Sequence, residues 1–183
     1  TVRFGMRKFA MQGTQFTLNG RPIFLRGTLE CSVFPLTGYP PTDVESWRKI
    51  YQIQKSYGLN FIRFHSWCPP ESAFEAADLE GIIVQAEGPV STSLARQNAE
   101  RDAFLTAEFQ RVVDTYGNHP SFVMFTLGNE LGRNQGMFEM VAHYQTIDPR
   151  RLYAQGSNNM HWAPSLAEGD DFWVTCKTSK ELP

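Results

Sequence analysis

The chain is poor in cysteine, has no long apolar run and carries no excess of either charge. Cys31, Cys68 and Cys176 are odd in number and spaced unlike a zinc site, which argues against a disulfide framework. No apolar stretch approaches the roughly 20 residues that span a bilayer, and the first residues lack the charged-then-apolar pattern of a signal peptide. Lys and Arg number 17 against 19 Asp and Glu, interspersed along the chain, for a formal net charge of -2. That balance builds no basic surface for phosphates, so neither nucleic acid nor an anionic membrane is expected as a partner. Phosphate-cradling glycine loops, a thiol-histidine nucleophile pattern, dinucleotide fingerprints, internal repeats and low-complexity segments are likewise missing. What remains is ordinary globular material: 183 residues, 42% hydrophobic and 20% charged, enough for one well-cored domain.

Periodicity divides the chain. Thr17-Leu18-Asn19-Gly20-Arg21 carries an Asn-Gly hairpin signal flanked by Phe16 and Ile23, so residues 1–22 read as a lead-in segment and short β-hairpin. From Ile23 strands and helices alternate. A first strand is expected to end near Gly27, and Thr42-Asp43-Val44-Glu45 has capping-box spacing for a helix closed by Gly58. Phe61 to His65 reads as a second strand, Phe74 to Leu79 as a short helix after Pro69-Pro70, and Ile82 to Ala86 as a third strand. Phe104 to Val113 marks a helix ending at Gly117, and Met137 to Tyr144 another, stopped before Pro149. Leu152 to Gln155 and Phe172 to Cys176 are expected as fifth and sixth strands. This alternation implies parallel pairing through right-handed crossovers. The expected class is α/β, a (β/α)8 TIM barrel over residues 23–183, apparently incomplete, with about six of eight strands.

The fourth strand is the informative one. Phe122 to Leu127 is short, continuously apolar, β-branched and aromatic, preceded by Pro120 and stopped by Gly128, as in a parallel strand covered on both faces. Working residues of such sheets sit past the carboxyl ends of the strands, where Asn129 and Glu130 fall. Glu130 there is a carboxylate delivered to a strand tip, with helix capping as the plainer reading; Asn129 beside it offers an amide, or is a turn residue. A strand-tip carboxyl inside a barrel mouth is expected to be desolvated enough to hold its proton near neutral pH.

Asn118-His119-Pro120-Ser121 leading to Gly128-Asn129-Glu130 resembles the acid/base strand of glycoside hydrolase family 2, which includes β-galactosidases, β-glucuronidases and β-mannosidases. Other pieces agree in order. Phe4-Gly5-Met6-Arg7, Phe16, Leu18-Asn19-Gly20-Arg21-Pro22 and Leu25-Arg26-Gly27 resemble the entry into that family's barrel. Tyr57-Gly58-Leu59-Asn60-Phe61-Ile62-Arg63 resembles its second strand, and Phe74 to Asp78, Gly81 and Glu87 its second helix and third strand.

The resemblance implies a retaining β-glycosidase acting on an oligosaccharide or glycoside by double displacement, with Glu130 as acid/base and Asn129 bound to the hydroxyl at C2. The family's nucleophile is a Glu at the seventh strand, expected beyond Pro183; Glu87 and Glu30 are the carboxylates within reach here, and Glu87 reads as a structural or substrate-contact residue. Arg63 resembles an Arg that orients the nucleophile, with a buried ion pair as the other reading. His65 and Trp67 stand where the family has a Ser-His-Tyr-Pro segment, although the order here is His65-Ser66-Trp67-Cys68-Pro69. Trp67, His161 and Trp162 are expected to offer a stacking surface to sugar, and Lys177 is placed to meet an acidic sugar or solvent. Cys31-Ser32 falls where a metal-binding His-Glu pair of some members aligns, so no essential metal and no cofactor is expected. The abrupt Thr1-Val2-Arg3 start looks like the middle of a larger protein, and the resemblance implies β-sandwich domains of the same polypeptide, or a homo-oligomer, as partners. A non-catalytic carbohydrate-binding or structural module derived from such a barrel is the competing reading.

Overall fold

The structure, a computed structural model, describes residues 2–90, 98–131, 135–157 and 169–174. Three short strands open it: β1 (Phe9–Gln12), β2 (Gln15–Leu18) and β3 (Arg21–Ile23), paired antiparallel in the order β1-β2-β3. Asn19 and Gly20 turn β2 into β3 with φ of 52 and 78°, the left-handed pair that a tight hairpin twisting with its strands requires.

The remainder alternates: β4 (Gly27–Glu30), α1 (Val44–Ser56), β5 (Phe61–Phe64), α2 (Glu71–Glu80), β6 (Ile83–Glu87), α3 (Ala99–Tyr116), β7 (Phe122–Thr126), α4 (Gln135–Ile147) and β8 (Leu152–Ala154). Strands β4 to β8 pair in parallel in sequence order, the curved sheet of a partial TIM barrel. The first barrel strand starts where the sequence reading ends it. Arg21–Ile23 pairs locally with β2 instead, because the hairpin's register puts Ile23 opposite Phe16, while Gly27 pairs with Phe61 across 34 residues. Five of the six expected barrel strands are present among the described residues. Of the sixth, 172–174 carry no strand pairing, and Thr175 and Cys176 lie outside the described residues.

Helices form where caps and apolar spacing agree. Asp43 accepts from Ser46 N at 2.8 Å and starts α1, a cap of about 1 kcal/mol, and Trp47 and Tyr51, one turn apart, bury fully against the sheet. No helix among the described residues is long and apolar enough to cross a membrane.

Strand residues of alternating parity serve two cores. Ile62, Phe64, Val84, Ala86 and Phe125 face the helices and join Trp47, Phe74, Phe109 and Tyr144. On the other side Ile83, Val123, Met124, Leu152 and Ala154 join Phe9, with Phe16, Leu18, Ile23 and Phe61 packed on them, so the antiparallel sheet plugs the amino ends of the barrel strands. Further along, that inner face turns polar: Arg63, Gln85, Glu87 and Thr126 replace aliphatic side chains. An apolar base under a polar upper layer is the physical condition for a site at the carboxyl ends.

Arginines lock the amino-terminal end. Arg7 donates to the carbonyls of Pro120, Phe122 and Arg150; Arg151, fully buried, pairs with Asp148, donates to Gly117 O at 2.8 Å and stacks 4.3 Å over the Phe122 ring. His119 Nδ1 meets Asp78 Oδ2 at 2.6 Å, and Asp78 also accepts from Ser121 N at 2.9 Å. The Asn-His-Pro-Ser segment thus anchors the base of β7, at the end of the strand away from Glu130.

Candidate active site

The polar layer is organised around a buried carboxylate. Glu87, with no exposed surface, ends β6 and accepts from Arg63 Nε at 2.7 Å, Arg63 Nη2 at 3.3 Å, Ser66 N at 2.8 Å, Gln85 Nε2 at 3.2 Å and Thr126 Oγ1 at 3.1 Å. Five donors saturate its lone pairs, so it has no capacity left for a sugar hydroxyl or for attack at carbon. Of the readings of Glu87, the geometry favours the structural one over a substrate contact or nucleophile: full burial on the inner face of β6, opposite a guanidinium, makes it the counter-ion of Arg63.

Arg63 shares its fork between two partners. Beyond Glu87, its Nη2 donates to Asn129 Oδ1 at 2.5 Å. Of its two readings, the buried ion pair is what the geometry shows, with the guanidinium also reaching the tip of β7.

Asn129 and Glu130 follow β7 and Gly128. Asn129 is buried, its N–H donating to Val90 O at 3.0 Å, and it forms an isolated parallel bridge with Ser157 beyond β8. Glu130 N donates to Ser157 O at 2.8 Å. Glu130 adopts φ of 55°, a left-handed conformation that costs a non-glycine residue about 1–3 kcal/mol and that clusters at functional sites. Its side chain is exposed, the sheet being open at β4 and β8 and the mouth not enclosed by the described residues.

Two more left-handed residues stand at neighbouring strand ends, Ser32 with φ of 57° and Ser66 with φ of 59°. Each donates its N–H to a glutamate: Ser32 to Glu30 Oε2 at 2.9 Å, Ser66 to Glu87 Oε2. Glu30 is thus committed to its own loop. His65, partly exposed, is tied at its backbone N–H to Glu30 O at 2.8 Å. Trp67 is half-buried; its indole donates to Glu30 O at 3.3 Å and packs edge-on against Phe64 at 5.3 Å. His161, Trp162 and Lys177 lie outside the described residues. No cluster of three or more His, Cys, Asp or Glu side chains able to hold a metal occurs among the described residues.

Gln85 and Ser157 were not singled out from the sequence. Gln85 Nε2 donates to Ser157 Oγ at 2.8 Å as well as to Glu87, and both residues are buried. A polar residue between Val84 and Ala86 on an apolar strand was the available signal for Gln85. Ser157 offered none.

A parallel barrel segment with a carboxamide-carboxylate pair at one strand tip, over a buried arginine-glutamate pair, defines a TIM-barrel domain with its site at the carboxyl ends of the strands. Residues 9–168 match the family model described as glycosyl hydrolases family 2, TIM barrel domain. The chain belongs to that family. It is 28% identical over 166 residues to a β-galactosidase of Staphylococcus xylosus, covering 82% of this chain and 17% of that protein. To a putative β-glucuronidase of Formosa agariphila it is 29% identical over 167 residues, covering 87% of this chain and 16% of the relative. It thus spans a small part of the length of these relatives. Among solved structures, β-glucuronidase 3 of Bacteroides uniformis superposes with a TM-score of 0.70 at 26% identity, covering 83% of this chain and 21% of that one. Bacteroides uniformis β-glucuronidase 2, solved covalently bound to cyclophellitol-6-carboxylate aziridine, shares the fold with a TM-score of 0.74 at 20% identity, covering 93% of this chain and 23% of that one.

Proposed function

We propose that this domain carries the proton-transfer half of a retaining β-glycosidase of the β-galactosidase or β-glucuronidase type, with Glu130 as general acid/base. The observation that carries this is the tip of β7: Glu130 is exposed at the carboxyl end of a barrel strand in a left-handed conformation, beside an Asn129 whose amide is anchored by Arg63. In the first step Glu130 gives its proton to the glycosidic oxygen as the C1–O bond breaks, while a carboxylate on the opposite face, about 5 Å away, bonds to C1. In the second, ionised Glu130 takes a proton from the water that attacks C1, and the ester bond to the nucleophile breaks. We assign the nucleophile to a carboxylate outside residues 1–183, because Glu87 is saturated. Asn129 meets the C2 hydroxyl, and His65 lines the mouth.

The test is hydrolysis of alkyl and aryl β-galactosides and β-glucuronides by the full-length protein and its Glu130→Gln variant. Loss of the general acid is expected to lower hydrolysis of an alkyl glycoside by roughly 10²-fold or more. Unchanged hydrolysis by the variant rejects the assignment, and no hydrolysis by the parent protein favours a carbohydrate-binding module.

A further inference from the structure

The network beneath Asn129 and Glu130 is directional. Arg63 has donors only, so the atom of Asn129 that faces it at 2.5 Å is the acceptor Oδ1, and Nδ2 is the atom left to present to a ligand. Glu87, when ionised, only accepts, so the Gln85 group facing it is the NH2, which also reaches Ser157 Oγ. Thr126 Oγ1 donates to Glu87 Oε1 and lies 3.4 Å from Ser157 Oγ, so the Ser157 hydroxyl, accepting from Gln85, can donate to Thr126. The Ser157 backbone in turn brackets Asn129: its N–H donates to Gly128 O at 2.9 Å and its carbonyl accepts from Glu130 N. The network thus runs from Arg63 through Glu87 and Gln85 to Ser157, whose backbone bonds flank Asn129, and Asn129 Oδ1 returns it to Arg63.

We infer that Gln85 is a positioning residue for the acid/base pair, acting through Ser157 on the backbone of Asn129 and Glu130. Resting on the acid/base reading of Glu130, the inference adds to it a buried amide that touches no substrate. Two observations single out Gln85. Its amide bonds both Glu87, at 3.2 Å, and Ser157, at 2.8 Å, and so ties the ion pair to the β7–β8 clamp, with the Thr126 hydroxyl touching the same two residues at 3.1 and 3.4 Å. It also occupies a strand position, inside the barrel, where the lower layer uses aliphatic side chains such as Ile83. A buried amide in that position is tolerated only because its donors are used. Replaced by an apolar side chain of similar length, it leaves the Ser157 hydroxyl with the longer Thr126 contact alone, which loosens Ser157 although its backbone bonds to Gly128 and Glu130 remain. A shift of the order of 1 Å in a proton donor costs roughly 10²-fold in rate.

The experiment is steady-state kinetics of the full-length protein carrying Gln85→Met or Ser157→Ala, on an alkyl glycoside and on a dinitrophenyl glycoside of the same sugar. The dinitrophenolate leaves without protonation, so it reports everything except acid delivery. Gln85→Met is expected to lower kcat/KM on the alkyl glycoside about 10- to 100-fold and on the dinitrophenyl glycoside by no more than about 3-fold. Ser157→Ala, which keeps the backbone clamp, is expected to show the same split more weakly, and carries the test if Gln85→Met is insoluble. Equal losses on both substrates mean a merely structural role and overturn the inference, as does no loss. Glu130→Gln, run in parallel, separates the two levels. If it spares the alkyl glycoside, the acid/base reading fails; if it shows the loss and the Gln85 and Ser157 variants do not, only this inference fails.

Discussion

Arg63 Nη2 and Asn129 Oδ1 lie 2.5 Å apart, joining the second and fourth parallel strands across 66 residues of sequence. The contact makes the orientation of the Asn129 amide a consequence of the Arg63–Glu87 pair, one strand away. Disturbing that pair therefore has effects on both stability and catalysis, and they can be separated.

Arg63→Met strands the fully buried Glu87 without a counter-charge and is expected to destabilise the protein by about 3–5 kcal/mol. The double variant Arg63→Met with Glu87→Gln removes both charges and is expected to recover much of that loss while remaining poorly active, since Asn129 has lost its anchor. Urea unfolding and kcat/KM on the two variants check this. Equal stability of the single and double variants would remove Arg63 from its role as the counter-ion of Glu87.

Gly128→Ala is expected to reach the site through packing. A Cβ at Gly128 comes 2.2 Å from Val90 O, a backbone atom that also accepts the Asn129 N–H. The overpacking cost is about 1–3 kcal/mol, and the displaced Asn129 and Glu130 are expected to lower kcat about 10²-fold. An unchanged kcat with normal thermal unfolding shows that the 88–90 segment yields instead.

Acid sensitivity is expected at the opposite end of the barrel. Burial raises the Asp148 carboxyl, but the Arg150 hydrogen bond and the Arg151 charge outweigh it and hold the group below its ordinary range. A folded pKa below the unfolded one, about 3.9, stabilises above that value and is lost as pH falls through the folded pKa. The thermal midpoint of the parent protein should thus exceed that of Asp148→Asn at pH 7, and the gap should narrow below about pH 4. A gap independent of pH removes Asp148 from the acid response.

The local elements were readable because their causes are local. Asn19-Gly20 turns the hairpin, Asp43 caps α1 within three residues, and the apolar run from Phe122 to Phe125 marks a strand covered on both faces, with Asn129 and Glu130 following it. The alternation of such elements was enough for a parallel barrel. The first barrel strand was misplaced because two pairings compete for residues 21–30, and only the long-range register of Gly27 with Phe61 decides between them.

The chain's own order of residues determined which carboxylate stands at the end of which strand. Only the tertiary structure decided which of them is buried among donors and which is exposed. Glu87 and Glu130 both follow apolar strands, yet Glu87 turns inward beneath Arg63, Gln85 and Thr126, while Glu130 turns outward on a left-handed backbone held by Ser157. The physical reason is that a carboxylate's role depends on the donors around it. For Glu87, two of those donors, Arg63 and Thr126, come from the strands on either side, 24 and 39 residues away along the chain.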